Sequence, residues 1–383
     1  MVTAAPAGAA AEVAASAAAL AAITTRPWTL MEVCGGQTHA IVRWGLDQLL
    51  PAGVRLLHGP GCPVCVTPAA TLDAALQLAR RPEVILASYG DMLRVPGSRP
   101  GDDLLGVRAA GGEVRLLTAP LQAIELARAE PGREVVFLAV GFETTAPATA
   151  LLVRQARALG LANLSILCAH VRVAPAMAAI LTDHHPAPAP GDRVQGFLAA
   201  GHVAAVMGTA ELEALAQRHR VPVVVTGFEP ADLLRGLLAC VRRLESGRPG
   251  LENAYGRVVR TAGNPAARAL LAEVFTVVDR PWRGFGVIGG GGLALASAYA
   301  DLDAQRRFGL HPDAAGEGLA ASPCIAGRIL QGRATPDQCP AFGRACTPEH
   351  PLGAPMVSSE GACAAWFRYR PTGPAGPASA VVG

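Results

Sequence analysis

The chain has no lysine; all 33 basic residues among its 383 are arginine. That excludes chemistry turning on an internal lysine, whether a phosphate-loop nucleotide hydrolase or a Schiff-base enzyme. Aromatic residues are only 4% and the net charge is +3, with no basic stripe interleaved with aromatics, so no nucleic-acid surface is expected. Hydrophobic residues reach 51%, but much of this is alanine. No run of about 18 strongly apolar, uncharged residues occurs, so no membrane insertion is expected. Residues 1–23 carry neither a basic leader nor a leucine-dense segment, which argues against a signal peptide. The stretch 1–24 reads as a flexible alanine-rich tail or the lead-in to a first helix. Nine cysteines is an odd number for a chain of this length with no export signal. A secreted disulfide framework is therefore excluded in favour of metal binding or thiol chemistry in a reducing cytoplasm.

What is present is a strand–loop–helix rhythm. Apolar runs at Trp28–Val33, Val54–Leu57, Glu83–Ala87 and Val114–Leu117 alternate with helical periodicity. A second cycle runs through Val135–Val140, Leu164–Cys168, Gly196–Ala199 and Val221–Thr226. The pattern predicts an α/β fold of two similar units with mainly parallel sheets, plus an irregular C-terminal domain. The expected divisions are a first α/β domain at 25–130, a second at 131–246 and a cysteine-bearing domain at 247–383, where regular periodicity weakens. In such sheets functional groups sit on loops at the carboxyl ends of strands. Cys34, Cys62, Tyr89 to Arg94, Glu143 to Thr145, His170 and His202 are expected at such ends.

Seven of the cysteines fall into three groups. Cys62-Pro63-Val64-Cys65 follows Gly59-Pro60-Gly61, glycines that let the backbone turn tightly beside sulfur. This C-x-x-C is a redox dithiol, half of a metal site, or two ordinary cysteines. Cys34 with His39 is a nucleophile with its base, a pair of metal ligands, or merely a small residue after a strand. Cys324, Cys339, Cys346 and Cys363 are spaced C-x14-C-x6-C-x16-C. Four thiolates suit a [4Fe-4S] cluster or a structural zinc, and the paired knuckles usual for zinc ribbons are missing. Glu143 is either an active-site carboxylate or a helix cap. Asp91 and Arg94 read as a solvated pair, and Cys168 and Cys240 as inert core thiols. Gly284-Phe285-Gly286-Val287-Ile288-Gly289 matches G-x-G-x-x-G but lacks the βαβ setting that nucleotide binding requires.

Taken together these motifs resemble the HypD family of hydrogenase maturation proteins. The likeness rests on Met31-Glu32-Val33-Cys34-Gly35-Gly36-Gln37-Thr38-His39, His58-Gly59-Pro60-Gly61-Cys62-Pro63-Val64-Cys65 and Gly90-Asp91-Met92-Leu93-Arg94. It continues through Gly141-Phe142-Glu143-Thr144-Thr145, Gly201-His202-Val203, Gly227-Phe228-Glu229-Pro230 and Gly353 to Ala365. The resemblance implies a cytoplasmic redox-active scaffold, rather than a conventional turnover enzyme, that helps build the Fe(CN)2(CO) unit of [NiFe]-hydrogenase. It implies a HypC-type chaperone as partner and HypE as cyanide donor. By the same resemblance Cys34 is the iron-site thiol shared with HypC, with His39 close by. Cys62 and Cys65 are the redox pair, and Cys324, Cys339, Cys346 and Cys363 hold a [4Fe-4S] cluster. Two departures from the family pattern are Ala200 before Gly201-His202, where proline is common, and the run Gly289 to Gly292.

Overall fold

The apolar runs become strands. They are β1 (Trp28–Glu32), β2 (Val54–His58), β3 (Val84–Ser88), β4 (Val114–Leu116), β5 (Glu134–Gly141), β6 (Leu164–His170), β7 (Gly196–Ala200), β8 (Pro222–Thr226) and β9 (Gly250–Asn253). The computed structural model describes residues 7–99, 101–182, 193–311 and 322–370. Every residue of β1, β3, β6, β7 and β8 is buried, as in parallel sheets covered by helices on both faces. One sheet has the order β2-β1-β7-β8-β9 and the other β4-β3-β5-β6. All pairings within them are parallel. In each sheet the chain winds outward in opposite directions from a central pair. The carboxyl ends of β1 and β7, and of β3 and β5, are therefore the two crevices where a doubly wound sheet binds its ligand.

This strand order corrects the expected domain division. A boundary at residue 131 falls between β4 and β5, which share a sheet, while β1 and β2 are separated in sequence from their partners β7, β8 and β9. The second sheet is an excursion inserted into the first. Local periodicity reveals strands but not partners, because pairing is decided by burial over long separations.

The alanine-rich beginning is likewise not a flexible tail over its described length. Ala7–Ile23 is a helix packed along the helix Pro230–Glu245. Alanine has the highest helix propensity and allows close approach. Leu20 is fully buried among Trp28, Leu30, Leu237 and Cys240, and Arg235 reaches Glu12 at 2.5 Å. Glu245 accepts hydrogen bonds from the Thr25 backbone N–H at 2.8 Å and the Trp28 indole at 2.7 Å. Residues 1–6 lie outside the described residues.

Beyond β9 the chain returns to the inserted sheet. The helix Pro265–Val274 and the antiparallel hairpin β10 (Phe275–Trp282) and β11 (Gly286–Leu295) follow. They contribute Leu271, Phe275, Leu293 and Leu295 to the core over β5 and β6. The G-x-G-x-x-G stretch is the turn of this hairpin, with Gly284 and Gly286 at φ of +83° and +70°. It opens no helix, so the dinucleotide reading fails on context. Of the expected cysteine-bearing domain at 247–383, residues 312–321 and 371–383 lie outside the described residues, and residues 322–370 gather around their own small core of Ile329, Ala341, Cys346, Met356 and Cys363.

Candidate functional site

At the crevice between β1 and β7 the chain leaves β1 through Cys34, which precedes the helix Gly35–Arg43. It leaves β7 through Gly201 and His202, which open the helix Gly201–Met207. The Cys34 sulfur lies 3.8 Å from Nδ1 and 3.9 Å from Nε2 of His202, nearly equidistant from both. The imidazole is stacked on Phe228 with centroids 4.9 Å apart, and Phe228 meets the edge of Tyr255. Burial pushes the Cys34 thiol well above its ordinary range, with the Glu32 charge adding to the effect. Burial pulls His202 down to about 4, so the ring beside the sulfur is neutral.

Beneath Cys34 is a carboxylate that sequence reasoning passed over. Glu32 is fully buried at the last position of β1, in parallel register opposite His58 of β2. Its Oε2 accepts from the Cys34 backbone N–H at 2.9 Å. Its Oε1 accepts from the Thr38 hydroxyl and from His58 Nδ1 at 2.9 Å. A charge inside an otherwise apolar, doubly covered strand was the available signal, because such a group is placed only where donors meet it.

The loop from His58 to Cys62 packs directly on the Cys34 loop. Gly59 N–H donates to the Glu32 carbonyl at 2.8 Å, and Gly35 N–H to the Gly61 carbonyl at 2.7 Å. A Cβ on Gly61 would stand 2.1 Å from the Cys34 nitrogen, so only glycine allows this approach. Cys62 and Cys65 are joined as a disulfide with Cα atoms 5.2 Å apart. The bridge is buried, at 3% and 0% exposure.

The four late cysteines converge. Cys324, Cys339, Cys346 and Cys363 line one small cavity with Ala326, Ile329, Phe342 and Met356. Burial, and then the neighbouring cysteines, hold Cys363 well above the usual thiol range; burial likewise raises Cys324 and Cys346. Such a set favours four thiolates only around a strongly cationic core. A Cβ on Gly353 would sit 2.4 Å from the Cys324 sulfur, so the backbone there leaves room for the sulfur and what it would bind. Among the described residues no three or more His, Cys, Asp or Glu groups close on a point where one metal ion would sit.

The segment that forms this cavity packs on the helices next to both earlier thiol sites. The turn Ala354–Met356, part of its wall, packs on Pro63–Val66, which carries Cys65. The helix Ala362–Tyr369, which carries Cys363, packs on Gly35–Arg43. A Cβ on Gly35 would meet Glu360 Cβ at 2.5 Å. His39 belongs to this contact rather than to the sulfur. Its Nδ1 lies 3.0 Å from the Ser359 carbonyl and its Nε2 3.3 Å from the Tyr369 hydroxyl. The imidazole at Cys34 is thus His202, and His39 fastens the cysteine-rich segment.

Glu143 follows β5 at the second crevice and is 2% exposed. It accepts from the Val173 backbone N–H at 3.1 Å, and faces a small cavity walled by Ala200, Val203, Met207 and Leu212. Burial lifts its carboxyl to about 7. His170 is bonded to the Gly141 carbonyl at 3.1 Å and to the Thr149 hydroxyl at 2.9 Å, a satisfied core histidine.

A family model described as "HypD: Hydrogenase formation hypA family" matches residues 9–370. The chain belongs to the HypD family. A protein named hydrogenase expression/formation protein HupD, from Azotobacter chroococcum, is 50% identical over 345 residues, covering 90% of each chain. Proteins named hydrogenase maturation factor HypD are similarly close. That of Rhodobacter capsulatus is 46% identical over 365 residues, covering 94% of each chain. That of Escherichia coli K12 is 44% identical over 346 residues, covering 90% of each. The matches to these HypD relatives cover nearly the whole chain. No helix among the described residues is long and apolar enough to cross a membrane.

Proposed function

We propose that this chain acts in hydrogenase maturation as a redox-active scaffold on which the Fe(CN)2(CO) unit is assembled in complex with a HypC-type chaperone. The observation that carries this reading is the packing of the segment around the four-thiol cavity on Pro63–Val66 and on Gly35–Arg43, the helices next to the other two sulfur sites. In it, Cys34 gives its sulfur to the incoming iron, which is cargo, and the partner completes the site from outside. Soft thiolates suit low-spin iron carrying cyanide and carbonyl. His202 and Phe228 wall the sulfur on one side and exclude water. Cys324, Cys339, Cys346 and Cys363 would hold a [4Fe-4S] cluster, which when bound supplies single electrons. Cys62 and Cys65 store two electrons as thiols and release them on forming their bridge. Cyanide delivery by HypE, and work in the cytoplasm, follow from the same reading.

A thiol-disulfide oxidoreductase acting on another protein is the alternative reading, favoured by the Cys62–Cys65 bridge itself. The test is infrared spectroscopy of the anaerobically co-purified HypC complex, with iron and sulfide analysis. Cys34→Ala is expected to abolish the cyanide and carbonyl bands while leaving the iron and sulfide of the cluster. Bands that survive the substitution, or wild-type protein free of sulfide, overturn the reading.

A further inference from the structure

We propose that Glu32 is a positioning residue that, through His58, joins the Cys34 loop to the Cys62–Cys65 loop, so that opening the disulfide changes how readily the Cys34 thiol reacts. The proposal rests on reading Cys34 as the working thiol, and concerns how that thiol is controlled.

The observations are geometric. Glu32 and His58 are paired across β1 and β2 in register, and each ends its strand where a sulfur-bearing loop begins. Glu32 divides its oxygens between the loops: Oε2 takes the Cys34 N–H at 2.9 Å, and Oε1 takes His58 Nδ1 at 2.9 Å together with the Thr38 hydroxyl. The backbone repeats the connection through Gly59 to Glu32 and Gly35 to Gly61. There is no slack between the loops, since even one added carbon at Gly61 would strike the Cys34 nitrogen.

The far end of the same loop is Cys62, whose sulfur is bridged to Cys65 and accepts the Cys65 N–H at 3.2 Å. Opening the bridge releases Cys62 from that constraint, and a close-packed loop passes displacement on rather than absorbing it. His58 is where this loop grips the carboxylate. A buried carboxylate also has no water to exchange for a lost donor, so it holds both loops to one arrangement.

The experiment alkylates Cys34 with iodoacetamide in the full chain, purified anaerobically, and follows the Cys34 peptide by mass spectrometry. The rate is measured with the bridge closed and after opening it with tris(2-carboxyethyl)phosphine. In that reaction water gives its oxygen to the phosphine and its two hydrogens to the two thiols; excess phosphine is then removed. Wild-type protein is expected to alkylate about five-fold or more faster with the bridge open, the scale of a typical coupling between sites. In His58→Ala the open-to-closed ratio is expected to fall below about two-fold. In His58→Asn, whose amide nitrogen replaces Nδ1 as donor to Glu32, the ratio is expected to return. Glu32→Ala is expected to lose the ratio as well, and the His58 variants keep the test decisive where Glu32→Ala does not fold.

A wild-type ratio near one overturns the proposal. So does an unchanged ratio in His58→Ala, or His58→Asn behaving like His58→Ala. Neither iron nor partner enters the measurement, so its failure is distinct from a failure of the infrared test.

Discussion

Glu143 is an ordinary carboxylic acid in the unfolded chain and a reluctant one in the fold. Burial lifts it from 4.5 to about 7; the neighbouring charge of Glu211 acts in the same direction and that of Arg172 against it. The native state therefore binds more protons than the unfolded state between these values, and stability falls as pH rises through them. The full difference, about 3 kcal/mol, is present below pH 4.5 and gone above 7. Glu143→Gln is expected to remove this slope. Urea unfolding at pH 5 and pH 8 should show the variant losing less stability than the wild type over that interval. Equal losses in the two proteins would refute the assignment. By contrast Cys240, pushed up to about 12 by burial, is the inert core thiol that its apolar surroundings indicated, and Cys168 is buried with its sulfur bonded to the Leu293 carbonyl at 3.2 Å.

At the scale of elements, strands announced themselves and their neighbours did not. Trp28–Glu32 and Pro222–Thr226 are short apolar runs bounded by turn residues, and both formed nearly where the alternation of hydrophobicity placed them. The meeting of Cys34 with His202 was hidden, because it depends on β7 lying beside β1, a pairing over 160-odd positions that no local pattern encodes. Val203 to Met207 likewise reads as an apolar run but forms a helix, since strand and helix share that composition over short spans. His39 sat five positions from Cys34 and invited pairing with it. On a helix that starts at Gly35 its side chain instead turns to the packed segment around Ser359. The first helix was hidden for another reason: alanine gives no amphipathic stripe, so its docking depends on few large residues. Leu20 is the chief of these. Leu20→Ala is expected to cost about 3 kcal/mol, read as a lowered denaturation midpoint. A loss under half of that would mean the helix is only loosely attached.

For the molecule as a whole, the two sheets carry their own cores, whereas residues 322–370 have few large apolar side chains and several cysteines. On the cluster reading, that segment draws its order from the metal centre. Cys324→Ser, or chelation of iron from the wild type, is expected to raise amide hydrogen exchange across 322–370 and at the helix Gly35–Arg43 that it covers, while β3, β5 and β6 stay protected. Uniform exchange throughout, or none in the segment, would contradict that dependence.

The insertion of one sheet into the other also sets an order of events during synthesis. β1 is among the first strands to leave the ribosome, but the neighbour that completes its second edge is β7. Contacts that close over so long a separation form late, and domains tend to fold as units as the chain emerges. The four contiguous strands of the inserted sheet can pair while Glu32, Cys34, Cys62 and Cys65 still wait for β7, with Leu271, Phe275, Leu293 and Leu295 completing its core later, and the walls around those thiols close only after translation has passed His202 and Phe228. Until then the sulfurs are open to any oxidant, so the chain's exposure to thiol damage is concentrated in its own birth, before burial leaves Cys34, Cys62 and Cys65 at 2%, 3% and 0% exposure.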